Sequence, residues 1–192
     1  MSKVFVITGP SGVGKGTLIS KLLERVPDLV LSVSATTRPP REGEVEGRDY
    51  HFLTPDEFEA RMDADDFLEF ATYSGNRYGT LRSEVERCLA SGRSVVLEIE
   101  VQGAQQVRAA EPGSVQIFIA PPRPEDLRQR LEGRGTDSEA AIDARLETAE
   151  LELAAQGDFD HRIVNDDLRR ATGELEGIVR GELGLPVDSA AE

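Results

Sequence analysis

Gly9-Pro10-Ser11-Gly12-Val13-Gly14-Lys15-Gly16-Thr17 is the stretch that decides how the rest of the chain is read. An apolar run, Val4-Phe5-Val6-Ile7, precedes it, and Leu18, Ile19, Leu22 and Leu23 follow at helical spacing. Strand, glycine-rich loop, helix is the setting of a phosphate-binding P-loop, and Gly9-x4-Gly14-Lys15 has the spacing such a loop needs. Glycines allow backbone turns that bring successive N–H groups inward around anionic oxygens, and the following helix adds the positive end of its dipole. The expected ligand is a nucleoside triphosphate, with Lys15 reaching its outer phosphates. The residue after the lysine is usually Ser or Thr, whose hydroxyl binds Mg²⁺ directly; here it is Gly16, with Thr17 next.

Composition narrows the setting. The 192 residues fit one compact domain with small insertions and suffice for a real core. No apolar run approaches the ~18 residues of a membrane span, and the immediate entry into a strand leaves no room for a signal peptide. A single cysteine, Cys88, excludes an internal disulfide, and two scattered histidines offer no zinc cluster. A cytoplasmic protein is expected. The net charge of −14 argues against a general nucleic-acid or acidic-membrane binder. Against that acidity two groups of arginines stand out: Arg38, Arg41 and Arg48, then Arg123, Arg128, Arg130, Arg134 and Arg145.

Outward from the loop, the sequence predicts a short strand over 29–33. A loop over 34–41, stiffened by Pro39 and Pro40, then presents Arg38 and Arg41, because two prolines oppose regular structure. Tyr50-His51-Phe52-Leu53 reads as a strand, and Thr54-Pro55-Asp56-Glu57 as a capping box opening a helix. Phe67 to Tyr73 and Arg77-Tyr78 flank Ser74-Gly75-Asn76, a hairpin pattern. Residues 34–80 therefore read as a sheet-plus-helix insertion. A helix over 81–90 follows, then a buried strand over 94–100 whose Glu98 and Glu100, at i and i+2, should share a face. The pattern continues with a helix over 102–110, a strand over 115–119 and a helix opened by Pro124 and ended by Gly133-Arg134-Gly135. A second capping box, Thr136-Asp137-Ser138-Glu139, opens a long helix to about 155. A strand over 161–164 and a helix over about 167–180 close the chain, leaving a frayed tail. Strands alternating with helices imply a parallel α/β sheet covered on both faces.

Phosphoryl transfer asks a protein mainly to position groups, neutralise charge and exclude water. Arginine suits this work because its planar fork binds phosphate oxygens bidentately and stays charged. Two arginine-bearing insertions around one P-loop suggest two phosphate-bearing substrates.

From about Val4 to Leu175 the chain resembles a guanylate kinase. The resemblance rests on Gly-Pro-Ser-Gly-Val-Gly-Lys at 9–15, Ser34-Ala-Thr-Thr-Arg-Pro-Pro-Arg41, Asp49-Tyr50-His51-Phe52 and Phe67-Leu68-Glu69-Phe70. It extends through Asn76-Arg77-Tyr78-Gly79-Thr80, Leu97-Glu98-Ile99-Glu100-Val101-Gln102-Gly103, Gly133-Arg134-Gly135-Thr136 and Ile163-Val164-Asn165-Asp166-Asp167. It implies a parallel-sheet P-loop kinase core over 2–33, 81–123 and 148–182 within a domain spanning 2–182. It also implies a GMP-binding insertion over 34–80 and a helical lid over 124–147; residues 183–192 read as a flexible tail. The implied reaction is ATP-dependent phosphorylation of GMP, or dGMP, with Mg²⁺. By the same resemblance Arg38, Arg41, Tyr50 and Tyr78 grip the GMP phosphate, and Ser34, Glu69 and Thr80 contact guanine. Lys15, Arg38, Arg134 and Arg145 are the expected catalytic cations, and Asn165 lies on the adenine side. The stretch from Gly9 to Thr17 is the expected ATP loop. Two positions depart from the pattern: Gly16 replaces the usual Ser, and Glu100 stands where Asp is usual, bearing on guanine or on metal-bound water. Gly-Lys-Gly-Thr resembles the loop of adenylate kinases, so Glu98 and Glu100 are expected to act on the metal only through water. The competing expectations are a phosphopeptide-binding scaffold module of guanylate-kinase-like type, against which the intact loop speaks, and a sister kinase for another phosphorylated substrate.

Overall fold

The structure is a computed structural model that describes residues 2–73, 75–132 and 139–186. The apolar runs form a five-stranded parallel sheet: β1 (Val4–Thr8), β2 (Leu29–Leu31), β7 (Ser94–Glu98), β8 (Val115–Ala120) and β9 (His161–Val164), in the order β2-β7-β1-β8-β9. β1 is central and buried along its whole length, as a parallel strand covered on both faces must be. Alternation along β1 sorts its side chains by face. Phe5 and Ile7 pack with Leu18, Ile19 and Leu22 of α1 (Lys15–Arg25) and with Ala171, Leu175 and Val179 of α7 (Leu168–Leu183). Val4 and Val6 pack on the other side, with Val85 and Cys88 of α3 (Arg82–Ala90) and Ala104 and Val107 of α4 (Val101–Ala110). The crossing from β1 to α1 is the P-loop, at the C-terminal edge of the sheet.

The remaining strands form a separate four-stranded sheet, β4-β3-β6-β5, from β3 (Ala35–Thr36), β4 (His51–Phe52), β5 (Phe67–Tyr73) and β6 (Asn76–Leu81). Its helix α2 (Pro55–Asp63) opens with the predicted capping box, both reciprocal bonds being formed between Thr54 and Glu57. Phe58 of α2 stacks on Phe67 with ring centroids 4.4 Å apart, and these two rings anchor a small core with Ala35 and Leu81. The strand β3 corrects the sequence reading, which gave 34–41 to a loop. Ala35 and Thr36 lie before the prolines and pair with His51 and Phe52 on one side and with Gly79 and Tyr78 on the other. Irregular chain begins only beyond them.

Other boundaries moved as well: β2 stops at Leu31, short of the expected 33, and β4 covers only His51 and Phe52 of the expected 50–53. β7 ends at Glu98, and Glu100 is not a strand residue; it is the N-cap of α4, accepting from the backbone N–H groups of Gln102 and Gly103. The shared strand face expected of Glu98 and Glu100 is therefore lost. Helix α7 runs on to Leu183 and stops at Gly184, whose φ of 67° is the left-handed helix-ending conformation. Between β8 and β9 lie α5 (Glu125–Glu132) and α6 (Glu139–Ala154), joined across the layer by Arg128 and Asp143 at 2.6 Å. Gly133 to Ser138, with Arg134 and the second capping box, lie outside the described residues, as does the tail from 187.

Candidate active site

The C-terminal ends of β1, β2 and β7, the second sheet and α6 enclose a cleft of about 430 Å³. Its two halves are built on different principles.

The loop half is shaped by close approach. Gly9 has φ 148°, and a Cβ there would lie 2.2 Å from the carbonyl oxygen of Ile119 on β8, so no other residue fits. Gly14, with φ 97°, is the N-cap of α1; a Cβ on it would meet the side-chain nitrogen of Asn165 at 2.7 Å. Lys15 arches back over the loop and donates from Nζ to the carbonyl of Gly9 at 2.5 Å and to that of Pro10 at 3.4 Å. Gly9, Ser11 and Lys15 line the cleft, whereas Gly16 and Thr17 are exposed at the start of the helix. Gly12 faces the Leu131 side chain of α5, and Val13 is buried.

The opposite half centres on Glu69, whose residue is only 4% exposed. Thr80, fully buried on β6, donates from its hydroxyl to Glu69 Oε1 at 2.7 Å. The second carboxylate oxygen lies against the first turn of α4, where a Cβ on Gly103 would come within 2.5 Å of it. A register shift between Phe67 and Glu69 turns the glutamate inward from an edge strand, and bulges of this kind re-aim side chains beside functional sites. Gln106 of α4 fixes the strand in place by exchanging two hydrogen bonds with the backbone of Phe70. Burial is the main reason the Glu69 carboxyl is pushed up to about 7; the negative Glu100 adds to it and the Thr80 hydroxyl opposes it.

Between the halves, Ser34, Tyr50, Tyr78, Glu98, Glu100 and Arg145 line the cleft. The rings of Tyr50 and Tyr78 meet edge-on at 6.2 Å, and the Arg38 guanidinium lies 5.3 Å above the Tyr50 ring. Glu44 holds Arg38 from the far side at 2.8 Å and also accepts from the backbone N–H of Arg41, whose side chain is exposed. Those hydrogen bonds keep the Glu44 carboxyl below its usual range, Arg38 contributing most. Asn165, at the end of β9, is buried and donates to the Val13 carbonyl behind the loop. Of the expected site residues, Arg134 alone lies outside the described chain.

Sequence reasoning missed Glu152. It reaches the cleft from α6 beside Thr148 and Arg145, and burial raises its carboxyl to about 7 against the pull of Lys15. No motif marks it; a helical acid in a charged helix carries no signal until α6 is folded across the cleft. The Glu98 carboxyl is likewise pushed up by the surrounding protein, with Lys15 drawing it down, although its residue keeps an open face to solvent.

The donor set also bears on a divalent metal. Among the described residues no three His, Cys, Asp or Glu side chains converge as a ligand group. Gly16 brings no hydroxyl, and Glu98 Oε2 lies 4.0 Å from where a Cβ on Gly16 would be. Such a set fits Mg²⁺ that keeps several waters and takes phosphate oxygens directly, which is its usual habit with nucleotides.

Comparison with known proteins supplies the family. A family model described as guanylate kinase matches residues 1–182. The chain is 54% identical over 179 residues to a guanylate kinase of Parasynechococcus marenigrum, covering 93% of this chain and 98% of that one. It is 54% identical to that of Rubrobacter xylanophilus over 178 residues, 93% of each chain. The crystal structure of guanylate kinase from Anaplasma phagocytophilum superposes with a TM-score of 0.77 at 35% identity, covering 94% of this chain and 86% of that one. With a P-loop facing a buried, hydroxyl-bonded carboxylate across one cleft, and with these relatives spanning nearly its whole length, the chain belongs to the guanylate kinase family.

Proposed function

We propose that the cleft transfers the γ-phosphoryl group of ATP to the phosphate of GMP, or of dGMP, giving ADP and the nucleoside diphosphate. The observation that carries this reading is the pairing of Glu69 and Thr80 opposite the P-loop. Ionised Glu69 accepts the N1–H and N2–H of guanine, and Ser34 supplies a donor for the ring acceptors. Arg38, Arg41, Tyr50 and Tyr78 take the GMP phosphate; Arg38 already lies over Tyr50, with Glu44 standing where an anion competes for it. The Gly9–Thr17 loop holds the phosphates of ATP. Lys15 exchanges its contacts with Gly9 and Pro10 for the migrating group, and Arg145 and Arg134 neutralise charge around it. An oxygen of the GMP phosphate attacks the γ-phosphorus in line, and the bond to the β-bridging oxygen breaks, leaving that oxygen on ADP. Mg²⁺, when bound, neutralises charge on the phosphates, with Glu98 and Glu100 meeting it only through water. Asn165 bounds the site on the adenine side.

Residues 34–80 act as the GMP arm and 124–147 as the lid. The acidic surface, and the lack among the described residues of a helix long and apolar enough to cross a membrane, suit a cytoplasmic enzyme acting on small molecules rather than nucleic acid. A coupled ADP-release assay with GMP, AMP, CMP and UMP in parallel tests the reading. ADP release that depends on GMP alone is expected; equal turnover of any other monophosphate overturns it.

A further inference from the structure

The glycines that let the P-loop form also leave it free to form wrongly. A peptide plane between Val13 and Gly14 can turn over at little steric cost, because the residue on one side has no Cβ. In one orientation the Gly14 N–H faces the phosphate cradle; in the other the Val13 carbonyl does, presenting a negative dipole to an anion. Carbonyl and N–H point opposite ways across a planar trans peptide, so whatever holds the carbonyl outward holds the N–H inward.

Two donors hold it outward. Arg130 of α5 donates from Nη1 to the Val13 carbonyl at 3.1 Å, and Asn165 donates from Nδ2 to the same oxygen at 2.8 Å. Arg130 Nη2 also donates to the Asn165 carbonyl at 3.0 Å, closing a triangle among loop, helix and strand end. The triangle is anchored in the sheet, since the Asn165 N–H donates to Ala120 of β8 at 2.8 Å. Leu131, the next residue of α5, packs behind Gly12 and is 1% exposed, so two consecutive residues of the helix back two consecutive residues of the loop.

We propose that Arg130 is a positioning residue for phosphoryl transfer, which with Asn165 locks the Val13–Gly14 peptide so that its N–H faces the nucleotide phosphates. The inference rests on the reading of the loop as an ATP site. One of the two locking hydrogen bonds is charge-assisted, the stronger kind. Arg130 sits at the root of the segment expected to form the lid, so the polarity of the loop is tied to the element that covers it.

The test separates a phosphate effect from contact with the base. Arg130→Met keeps much of the apolar stem and removes both donors. KM for ATP, KM for GMP and the competitive inhibition constant of tripolyphosphate, which has no base, are measured at fixed free Mg²⁺. Expected are rises of about tenfold, of equal size, in KM for ATP and in the tripolyphosphate constant, with KM for GMP within twofold. Arg130→Lys, which keeps one charged donor, should recover part of the loss in both. An unchanged tripolyphosphate constant in Arg130→Met overturns the proposal, whatever happens to ATP. If Arg130→Met does not fold, Arg130→Lys decides on the same constant. A wild-type enzyme that tripolyphosphate does not inhibit overturns the phosphate reading of the loop, and the proposal falls with it.

Discussion

On the proposed function, the two halves of the cleft solve recognition in opposite ways. The loop half uses backbone: glycines at 9 and 14 with positive φ, a helix start and one arching lysine. The second half uses a single buried acid, Glu69, whose surroundings come from three elements, with Thr80 on β6, Gly103 on α4 and the register shift in β5. A phosphate is nearly isotropic and strongly charged, so a cradle of N–H groups suffices for it. A base is planar and neutral, and is told from its competitors only by where donors and acceptors lie. The loop half should therefore govern rate, and the Glu69 half should govern choice and pH response.

The largest expected effect lies on the Glu69 side. Adenine offers an acceptor at N1 where guanine offers a donor, so AMP leaves the buried carboxylate facing a lone pair. Sites that hydrogen-bond their substrate reject such analogues by roughly 10⁴-fold. GMP should exceed AMP by that order in kcat/KM, and Glu69→Gln should narrow the ratio while leaving KM for ATP nearly unchanged. A wild-type ratio in the variant would mean that guanine is read by other groups.

Next is the loop. Lys15→Ala should lower kcat by on the order of 10²-fold or more, since a preorganised charge at the transferring group is lost. Its circular dichroism and melting temperature should remain near wild type. More than half of the wild-type turnover in a folded variant would take Lys15 out of the mechanism.

The third effect separates the halves by pH. In the free enzyme Glu69 is protonated below about 7, and guanine needs its ionised form. KM for GMP should be flat above pH 8 and rise below 7, approaching tenfold per unit. GMP titrates its own phosphate near 6, so the comparison is with Glu69→Gln, which should lose the step near 7. An identical profile in the two proteins would assign the step to the phosphate.

The smallest effect is on stability. Glu69 ionises with more difficulty folded than unfolded, its carboxyl standing at about 7 against an ordinary 4.5. The folded form therefore binds the proton more tightly, and stability is lost as pH rises from 4.5 through 7. Ligand-free Glu69→Gln should match wild type near pH 4.5 and exceed it at pH 8 by at most about 3 kcal/mol, several degrees in Tm. A variant less stable than wild type at pH 8 would show that the ionised carboxylate is held by favourable contacts.

How much of this was legible follows from the physics of each half. Gly9, Gly14 and Lys15 fall within seven consecutive positions, from the end of a strand to the start of a helix, so local conformation alone announces them. The central sheet was readable for the same reason: a buried parallel strand such as Val115–Ala120 must be apolar throughout. The proposed base-reading set was visible only as residue types within the motifs of the resemblance. The 2.7 Å bond from Thr80 to Glu69 depends on a one-residue register shift that no spacing reveals.

By itself, then, the sequence determined what is local: the phosphate loop, the alternation that builds an α/β sheet, and the capping box at Thr54. Tertiary structure decided what is not. It ended β7 at Glu98 and turned Glu100 into a helix cap, brought Glu152 across the cleft from α6, and set Arg130 and Asn165 on one carbonyl behind the loop. The physical reason is that backbone preferences act over a few residues, whereas desolvation and hydrogen-bond partnership depend on which elements pack together. A carboxylate 4% exposed and one on open surface have the same letter in the sequence, and only packing tells them apart.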